Sequence, residues 1–394
     1  MRVLTIGNMY PPHHLGGYEL MWQSWVEHAR GAGHEVSVLT TDYRLPGVRA
    51  GPAGVARELR WYWRDHRFPK IGLRDRMRLE RHNLGVLRRS LERGRPDAVA
   101  WWAMGGMSMS MVDAVRRSGV PALGVVVDDW LLYGPQVDAW QRTFARLPGI
   151  KGAVERLTGI PTGFDLAGAA SWIFVSETTK RHASEAHANV TGRVVHAGID
   201  PALFPPAEPG EWRWRLLYLG RIDRRKGIAT AVRALLHLPP EAVLEIVGGG
   251  DDEHRAELEA LVAECALSDR VRFSSYPRDQ LADVYASADV VVFPVLWEEP
   301  FGLVPVEAMS VGRPVVATGT GGSAEYLRDG VNCLLFEPID DPAALAARVR
   351  DLEADRGLRT RLIEQGRATA AVLTERRFNE AVTRTLRSIS RDAV

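Results

Sequence analysis

The sequence predicts an α/β fold built from two parallel-sheet domains, and three observations carry that prediction. At 394 residues, the chain exceeds what one ordinary hydrophobic core organises. Short apolar runs alternate with longer amphipathic ones along the chain, which is the pattern of βαβ units. The alternation stops at residues 198–214, where prolines and glycines break any regular element. We therefore expect two domains of similar size, joined near 200–213.

The predicted elements follow one another in a regular order. The first domain opens on the strand RVLTIG (2–7), followed by an amphipathic helix that ends at the glycines of GAG (31–33). Its further predicted strands are 34–40, 96–102, 121–127 and 171–176. The predicted strands of the second domain are 215–220, 242–248, 270–275, 289–295, 313–319 and 332–338. Parallel strands bring their carboxyl ends to one edge of a sheet, so we expect a ligand in a cleft between the two domains.

Composition excludes several classes of protein. Hydrophobic residues make up 46% of the chain and charged residues 25%, as in soluble globular proteins. A net charge of +1 gives no reason to expect nucleic acid as a partner. Cys265 and Cys333 lie in apolar segments without the spacing of a zinc site, so we expect buried thiols. The sequence shows neither a signal-peptide core nor about 18 consecutive apolar residues, and we expect a cytoplasmic protein.

Two strand ends of the second domain carry glycine or cations. After 215–220, Arg221 and Lys226 precede a helix, so that two cations and a helix N-terminus suit a diphosphate. A solvated basic loop explains the same residues equally well. After 242–248, Gly248 opens a turn of three glycines that would let a ligand approach the backbone, or that is simply a tight turn. The turn has neither a full GxGxxG pattern nor a Walker A pattern.

A third strand end, EEPFGLVPVEAM (298–309), places acids on both sides of an apolar segment. Glu299 would lie in the loop, a helix would run from Leu303 to Gly312, and Glu307 would lie about one turn into it. Such an arrangement can hold a sugar nucleotide, because the acids accept from sugar and ribose hydroxyls while the helix start faces phosphate. Acids are also common in first turns without any ligand.

These segments resemble the nucleotide-sugar domain of GT-B glycosyltransferases, in the large retaining group called glycosyltransferase family four. The likeness rests on GRIDRRKG (220–227), VGGG (247–250), EEPFGLVPVEAMSVGRPVVAT (298–318) and GGSAEYLRDGVNCLLFEPIDDPAALA (321–346), in this order and spacing. YPPHHLGGYE (10–19), GAGHEVSVLTT (31–41) and VVHAGIDPALFPP (194–206) are similar to the opening and the interdomain segment of that family. The likeness is strong over about 213–350 and thin between 43 and 170.

The resemblance implies the GT-B architecture, in which two Rossmann-like parallel-sheet domains face each other across a cleft. It assigns 1–205 to an acceptor-binding domain, 206–375 to a nucleotide-sugar domain, and 376–394 to a helix that crosses back to the first domain.

The resemblance also implies roles for individual residues. Arg221 and Lys226 would grip the donor diphosphate, and Glu299 would bind the donor sugar; these three are the predicted catalytic residues. The other predicted donor-binding residues are Gly16, Gly17, Gly248, Phe301, Gly302, Leu303 and, for the ribose, Glu307. In this family the sugar is transferred with retention by front-face attack, with the leaving diphosphate as base and without a metal or cofactor. The chain agrees in having no Asp-Xaa-Asp motif.

Two departures from the family concern the first domain. Many members have His at the strand end where this chain has Trp101 and Trp102, and many read His-Asp where it has Asp128 and Asp129. We therefore assign no catalytic histidine. His13 and His14 lie in the right loop for acceptor binding, and a solvated loop explains them at least as well.

The acceptor is predicted from residues at the edge of the first sheet. Asp128 and Asp129 follow a strand, with indoles nearby at Trp102 and Trp130. Carboxylates and indoles suit a small polar acceptor, such as an amino sugar or aminocyclitol. A helix start followed by a packing tryptophan explains the same residues equally.

A basic segment favours a different acceptor. Residues 67–95 are rich in arginine and carry Leu73, Met77, Leu84, Leu87 and Leu91 at helical spacing. Such a helix suits an anionic membrane or a phosphorylated lipid, although a solvated surface helix is the commoner outcome of the pattern.

The expected function is that of a retaining hexosyltransferase, with a nucleoside-diphosphate sugar as donor and a small polar acceptor. A membrane-associated transferase with a phosphorylated lipid acceptor remains an alternative, as does a GT-B sugar-nucleotide epimerase or hydrolase. A non-catalytic sugar-nucleotide binder is disfavoured, because Arg221, Lys226, Glu299 and Glu307 are all present.

Overall fold

The structure is a computed structural model, described here for residues 1–48, 51, 54–63, 68–145, 147–163 and 165–391. The chain divides into two compact units. Unit 1 consists of Met1–His196 together with Phe378–Val394, and unit 2 of Ala197–Arg377. The predicted boundaries were 205/206 and 375/376. The first observed boundary comes earlier because residues after 196 pack on unit 2: the Ile199 N–H donates to the Leu373 carbonyl at 3.1 Å, and Ser310 donates to the Phe204 carbonyl at 2.7 Å.

Unit 1 contains a seven-stranded parallel sheet in the order β3-β2-β1-β4-β5-β6-β7. Its strands are β1 Arg2–Gly7, β2 Glu35–Thr41, β3 Val55–Leu59, β4 Ala98–Trp101, β5 Ala122–Val126, β6 Ser171–Phe174 and β7 Gly192–Val194. Its first seven helices are α1 Gly17–Gly31, α2 Leu73–Gly94, α3 Ser110–Ser118, α4 Trp130–Val137, α5 Ala139–Ala145, α6 Lys151–Thr158 and α7 Glu177–Ala186. All five strands predicted for this domain are present; β3 and β7, at the two edges, were not predicted.

Unit 2 contains a six-stranded parallel sheet in the order β10-β9-β8-β11-β12-β13. Its strands are β8 Arg215–Leu219, β9 Val243–Val247, β10 Val271–Ser274, β11 Val290–Phe293, β12 Val315–Ala317 and β13 Leu334–Leu335. Its helices are α8 Ile228–Ala234, α9 Asp252–Glu264, α10 Leu281–Ser287, α11 Leu303–Val311, α12 Pro342–Ala354 and α13 Arg356–Val372. Each predicted strand of this domain is present, and the predicted class of two Rossmann-like parallel sheets is confirmed.

The last helix, α14 (Glu375–Arg391), returns to unit 1. Phe378, Val382 and Leu386 recur every four residues and are buried, as expected for one apolar face of a helix. Two hydrogen bonds tie α14 to α1: Trp25 donates to Thr383 at 3.2 Å, and Asn379 to Ser24 at 2.8 Å.

The basic helix α2 packs its apolar face into unit 1 rather than presenting it outward. Leu79, Val86 and Leu87 are buried, whereas Leu73, predicted to lie on that face, is 55% exposed because it begins the helix beyond the packed turns. The arginine side chains are exposed at Arg74, Arg78, Arg81, Arg88, Arg89 and Arg93. Arg67, the first predicted residue of this segment, lies outside the described residues. Within the described ranges, no helix combines the length and apolarity needed to cross a membrane.

The buried face of α2 also carries a carboxyl group. Glu80 accepts from Tyr62 at 2.6 Å and from the Ser110 hydroxyl. Burial, reinforced by the nearby Asp138 carboxylate, raises the pKa of Glu80 to about 8. The burial of Glu80 could not be predicted from helical periodicity, because a glutamate interrupts the apolar face in the sequence.

Candidate functional site

The predicted donor residues of unit 2 follow neighbouring strands at one edge of the sheet. The strand order reverses between β8 and β11, and ligands of open α/β sheets bind at such a switch point. Lys226 follows β8 and Glu299 follows β11. The structure brings the two together: Lys226 Nζ lies 2.6 Å from Glu299 Oε2, and the two side chains are 16% and 13% exposed.

Lys226 is positioned by a tight turn after β8. Asp223 begins the turn and accepts the Arg225 N–H at 3.0 Å. Hydrogen bonds from Arg225 hold the pKa of Asp223 well below its usual range, so it remains a carboxylate. Gly227 has φ +66°, and a Cβ there would collide with the Pro294 carbonyl of the loop after β11. Only glycine therefore lets the two loops meet at Lys226.

Glu299 is positioned by residues that the sequence analysis did not identify. The Trp297 indole donates to Glu299 Oε2 at 2.9 Å, and the Gly322 N–H donates to the Glu299 carbonyl at 2.7 Å. Gly321 has φ +60°, and a Cβ there would lie 2.5 Å from the Glu299 nitrogen. The signal that would have found this loop is TGTGG (318–322), a glycine-rich turn directly after β12.

The predicted helix after this loop is confirmed as α11, and Gly312, with φ +88°, ends it. Gly302 precedes the helix with φ +82°, and no side chain caps the N-terminus that begins at Leu303. Phe301 is buried against Tyr326, with ring centroids 5.1 Å apart. An uncapped first turn offers backbone N–H groups and the positive end of the helix dipole to an anion.

Glu307 lies one turn into α11 and is 6% exposed. Its Oε2 accepts from the Tyr285 hydroxyl at 2.7 Å. Burial raises the pKa of Glu307, against the effects of the Tyr285 hydrogen bond and the Arg278 charge. Tyr285 was not predicted from the sequence, because it lies on α10, 22 residues before Glu307. Arg278 belongs to SSYPRD (274–279), a segment that we expect near the nucleotide base.

Arg221 follows β8 and Gly248 follows β9, and their contacts differ from those of the Lys226–Glu299 pair. Arg221 is 55% exposed at its side chain, and its Nη2 lies 3.7 Å from Asp223 Oδ2. Gly248 has φ +142°, and a Cβ there would collide with the Gly220 carbonyl. The close approach that requires this glycine is therefore made by the loop after β8, which fits the interpretation of a tight turn.

In unit 1, the loop after β1 holds the predicted residues 13–17. The His13 ring is 1% exposed, and its Nδ1 accepts the Leu45 N–H at 3.1 Å. Burial, followed by the charges of Arg57 and Arg44, lowers the pKa of His13. Its Nε2 has no hydrogen-bond partner within the described ranges. His14 donates from Nδ1 to the Pro12 carbonyl at 3.3 Å.

The helix that follows this loop starts at the two glycines. Gly16 precedes α1, and its N–H donates to Glu19 Oε2 at 3.0 Å. Burial raises the pKa of Glu19 to about 7. A Cβ at Gly17 would meet nothing within 4 Å, and one at Gly16 would meet only Glu19. Among the described residues, no neighbour requires glycine at either position.

The expectation that indoles form a stacking surface for the acceptor is corrected by the structure. Trp101, Trp102 and Trp130 are each 0% exposed, so their ring faces are covered by protein. Trp102, a predicted acceptor residue, packs among aromatic side chains of α1 and α14, including Trp25 and Phe378. Three tryptophans in apolar surroundings form core here, because large rings contribute most when fully buried.

Asp128 and Asp129 follow β5 as predicted, and both carboxylates have partners in unit 1. Asp128 accepts the Trp130 N–H at 3.0 Å and the Tyr133 hydroxyl at 2.8 Å. Asp129 Oδ1 lies 3.0 Å from His182 Nδ1. The arrangement at Asp128 and Trp130 is the alternative given above, a helix start followed by a packing tryptophan.

Comparison with protein families and curated sequences finds relatives of the second unit. Residues 203–369 match the family described as "Glycosyl transferases group 1". A D-inositol 3-phosphate glycosyltransferase of Xylanimonas cellulosilytica is 38% identical over 195 residues, covering 45% of this chain and 46% of that protein. The lipopolysaccharide core biosynthesis glycosyltransferase LpsE of Rhizobium meliloti is 36% identical over 180 residues, covering 45% and 49%. The chain thus matches about half the length of these curated relatives.

Comparison with solved structures covers both units. Sucrose-phosphate synthase from Thermosynechococcus elongatus has a TM-score of 0.75 at 23% identity, over 98% of each chain. HepE of Anabaena, solved with UDP-glucose, has a TM-score of 0.69 at 19% identity, over 98% of this chain and 100% of that one. The resemblance to GT-B glycosyltransferases is confirmed. The chain therefore has the GT-B fold, and its residues 203–369 are similar to the glycosyl transferases group 1 family.

Proposed function

We propose that the protein is a retaining hexosyltransferase that uses a nucleoside-diphosphate sugar and a small polar acceptor. The observation that carries the proposal is the Lys226–Glu299 pair at the switch point of unit 2. Residues 203–369 match a glycosyltransferase family, and a structural neighbour was solved with UDP-glucose. In the proposed reaction, the donor diphosphate binds to Lys226, Arg221 and the N-terminus of α11. Glu299 then accepts hydrogen bonds from the sugar hydroxyls.

The proposed transfer balances without a cofactor or metal. The bond between the sugar C1 and the β-phosphate oxygen breaks, and a bond forms between C1 and the acceptor oxygen on the same face. The acceptor proton passes to the departing phosphate oxygen. Glu299 acts by holding the donor sugar, and Lys226 by stabilising the negative charge that develops on the leaving group.

The test is a donor screen with purified protein, beginning with UDP-glucose and ending with the anomeric configuration of the product. Retention, and turnover that survives EDTA, would support the proposal. Inversion of the anomeric centre, or loss of activity that Mg²⁺ restores, would contradict it. Conversion of the donor at an undiminished rate without any acceptor would instead identify an epimerase or hydrolase.

The choice of a small polar acceptor is supported by a relative and by the edge of unit 1. That relative is named for D-inositol 3-phosphate, a small phosphorylated polyol. In unit 1, His13 Nε2 and the Asp129 carboxylate are polar groups that follow strands β1 and β5. We propose a polyol or amino-bearing acceptor on these groups, to be tested with inositol phosphates, amino sugars and aminocyclitols in parallel.

The exposed arginines of α2 favour a second candidate, a transferase acting on a phosphorylated lipid. Their side chains project from a helix whose apolar face is already buried, so any membrane contact would be electrostatic. Sedimentation with anionic vesicles distinguishes the two candidates. Protein that pellets at physiological salt, together with lost activity after charge reversal at Arg81 and Arg88, would favour the lipid acceptor.

A further inference from the structure

A cavity in unit 2 lies at the opposite edge of the sheet from the donor residues. It is lined by Ala288 and Asp289, which lead into β11, and by Arg313 and Pro314, which lead into β12. Lys226 and Glu299 follow the other ends of strands in the same sheet. The cavity is therefore separate from the candidate donor site. We propose that it is a second binding site, specific for an organic phosphate.

Two guanidinium groups form the inner wall of the cavity. Arg313 is only 3% exposed and donates to the Ala207 carbonyl at 3.1 Å, and Arg367 donates to the same oxygen at 3.0 Å. Arg313 also donates to the carbonyls of Gly312, Glu208 and Ala286, at 3.0, 3.4 and 2.8 Å, so that Nε is its one N–H group without a partner in the described residues. Repulsion from the Arg367 charge adds to burial in lowering the pKa of Arg313. An anion bound between them would relieve that repulsion, and paired guanidinium groups match the oxygens of a phosphate.

The same wall carries N–H groups without acceptors. Arg313 Nε, Arg367 Nε and Trp212 Nε1 are buried and have no hydrogen-bond partner within the described ranges. All three side chains line the one cavity. Buried donors are normally paired, and unpaired donors on three side chains that line one cavity favour a ligand rich in acceptor oxygens.

The acidic residues that line the cavity either have other hydrogen-bond partners or are exposed, so they do not prevent an anion from binding near Arg313 and Arg367. Asp289 already accepts the N–H groups of Arg213 and Arg215, at 2.9 and 2.8 Å. Glu208 lies 3.6 Å from Arg367, but its side chain is 88% exposed and the pair is weak. Glu211 and Glu364 are exposed at the rim. A ligand phosphate can replace the Glu208 carboxylate beside Arg367.

The size and the outer wall of the cavity point to an organic anion rather than a bare ion. Its volume is about 680 Å³, within the range of small-molecule pockets. Trp212 and Ile363 provide apolar surface, and the Arg359 guanidinium lies 5.2 Å from the Trp212 ring. A phosphate monoester of a small metabolite matches both sides of the cavity: its phosphate would lie at Arg313 and Arg367, and its carbon skeleton would pack against Trp212.

The test measures binding by calorimetry, with UDP present at saturation so that the donor site is filled. Glucose 6-phosphate is the probe, glucose the uncharged control and inorganic phosphate the bare anion. We expect saturable binding of glucose 6-phosphate, weaker binding of phosphate and none of glucose. Arg367→Gln should weaken glucose 6-phosphate binding about tenfold or more, since it removes one charge-assisted contact.

Matched variants decide the outcome. Arg361→Gln removes the same charge from the same helix at an exposed residue outside the cavity, and should bind like the parent protein. If Arg367→Gln lowers the melting temperature, Arg356→Gln, on the exposed part of the cavity lining, replaces it. Bound glucose 6-phosphate should slow hydrogen exchange in α13.

The proposal is overturned if the parent shows no saturable binding up to about 10 mM, if Arg361→Gln binds as poorly as Arg367→Gln, or if hydrogen exchange slows in other elements and not in α13. Because no turnover is measured, these results are independent of the proposed transferase activity.

Discussion

The glycines near the candidate site differ in whether the fold itself requires them. Gly227, Gly248 and Gly321 have positive φ and would each place a Cβ against backbone of a neighbouring loop. The fold requires glycine at these three positions. Gly17 has neither constraint, so a glycine there is not explained by packing. A ligand that approaches the start of α1 would explain it.

Gly17→Ala should therefore separate stability from activity. Alanine is the better helix former, and Gly17 is the first residue of α1, so the melting temperature should stay the same or rise slightly. The added methyl group should lower kcat/KM for the donor by about tenfold, if 1.4 kcal/mol of binding is lost. Calorimetry and steady-state kinetics on one preparation check both effects. Unchanged kcat/KM would remove Gly17 from the donor site.

Lys226→Ala should weaken the binding of UDP by about 1.5–3 kcal/mol, because it removes a charge-assisted contact to the diphosphate. Arg224→Ala is the matched control, since Arg224 occupies the same turn but pairs with Glu257 of α9. Isothermal titration with UDP should find the control close to the parent. Arg221→Ala should also weaken binding. Parent-like affinity in both the Lys226 and the Arg221 variants would leave RIDRRK as a solvated loop.

Among the secondary-structure elements, those that depend on local sequence were predicted correctly. The central strands were found because they are buried on both faces and have continuous apolar runs. The edge strands β3 and β7 were missed because VAREL and GRV are half exposed and carry no such run. The ends of α11 were found because Gly302 and Gly312 mark them.

The parts of the site that the sequence did not reveal depend on tertiary contacts. The loop at 319–322 contacts Glu299 from the end of a different strand, and Tyr285 contacts Glu307 from a different helix. Trp297 is two residues from Glu299, but nothing in the sequence shows that its indole donates to that carboxylate. The indoles were misassigned for the same reason. A tryptophan at a strand end is equally compatible with a ligand surface and with core, and only the covering helices α1 and α14 decide between them for Trp102.

The start of α4 allows the two acids after β5 to be distinguished. Asp128→Ala should cost about 1 kcal/mol of stability, because it removes the acceptor for the Trp130 N–H. Asp129→Asn keeps an oxygen facing His182 and should leave stability nearly unchanged while raising the acceptor KM. Urea unfolding and acceptor kinetics on the two variants provide the check. A parent-like acceptor KM in Asp129→Asn would exclude that carboxylate from acceptor binding.

For the whole molecule, buried carboxyl groups set the dependence of stability on pH. The pKa values of Glu19 and Glu80 are raised to about 7 and about 8, and burial is the main cause of both. The folded state therefore holds protons that the unfolded state releases near pH 4.5. This contribution to stability is full below that pH and is lost as the pH rises through the folded pKa values.

We accordingly expect unit 1, which contains both groups, to melt at a lower temperature at pH 9 than at pH 6. Glu80→Gln, which keeps the shape and cannot ionise, should reduce this difference. Differential scanning calorimetry at the two pH values measures it. Carboxylates with lowered pKa values, such as Asp97 and Asp223, are ionised throughout this window and do not alter the sign. An equal loss in the parent and in Glu80→Gln would mean that Glu80 is not protonated in the folded state.

Because α14 packs on unit 1, all residues of unit 2 are synthesised before unit 1 is complete. Unit 2 is one continuous stretch, whereas unit 1 lacks its last helix until residues 378–391 emerge. At ordinary translation rates, the intervening residues 197–377 take roughly 10–40 s to synthesise. Through that interval the nascent unit 1 exposes the surfaces of Trp25 and Trp102 that α14 later covers. Unit 1 is thus completed only after unit 2, although most of its residues are synthesised first.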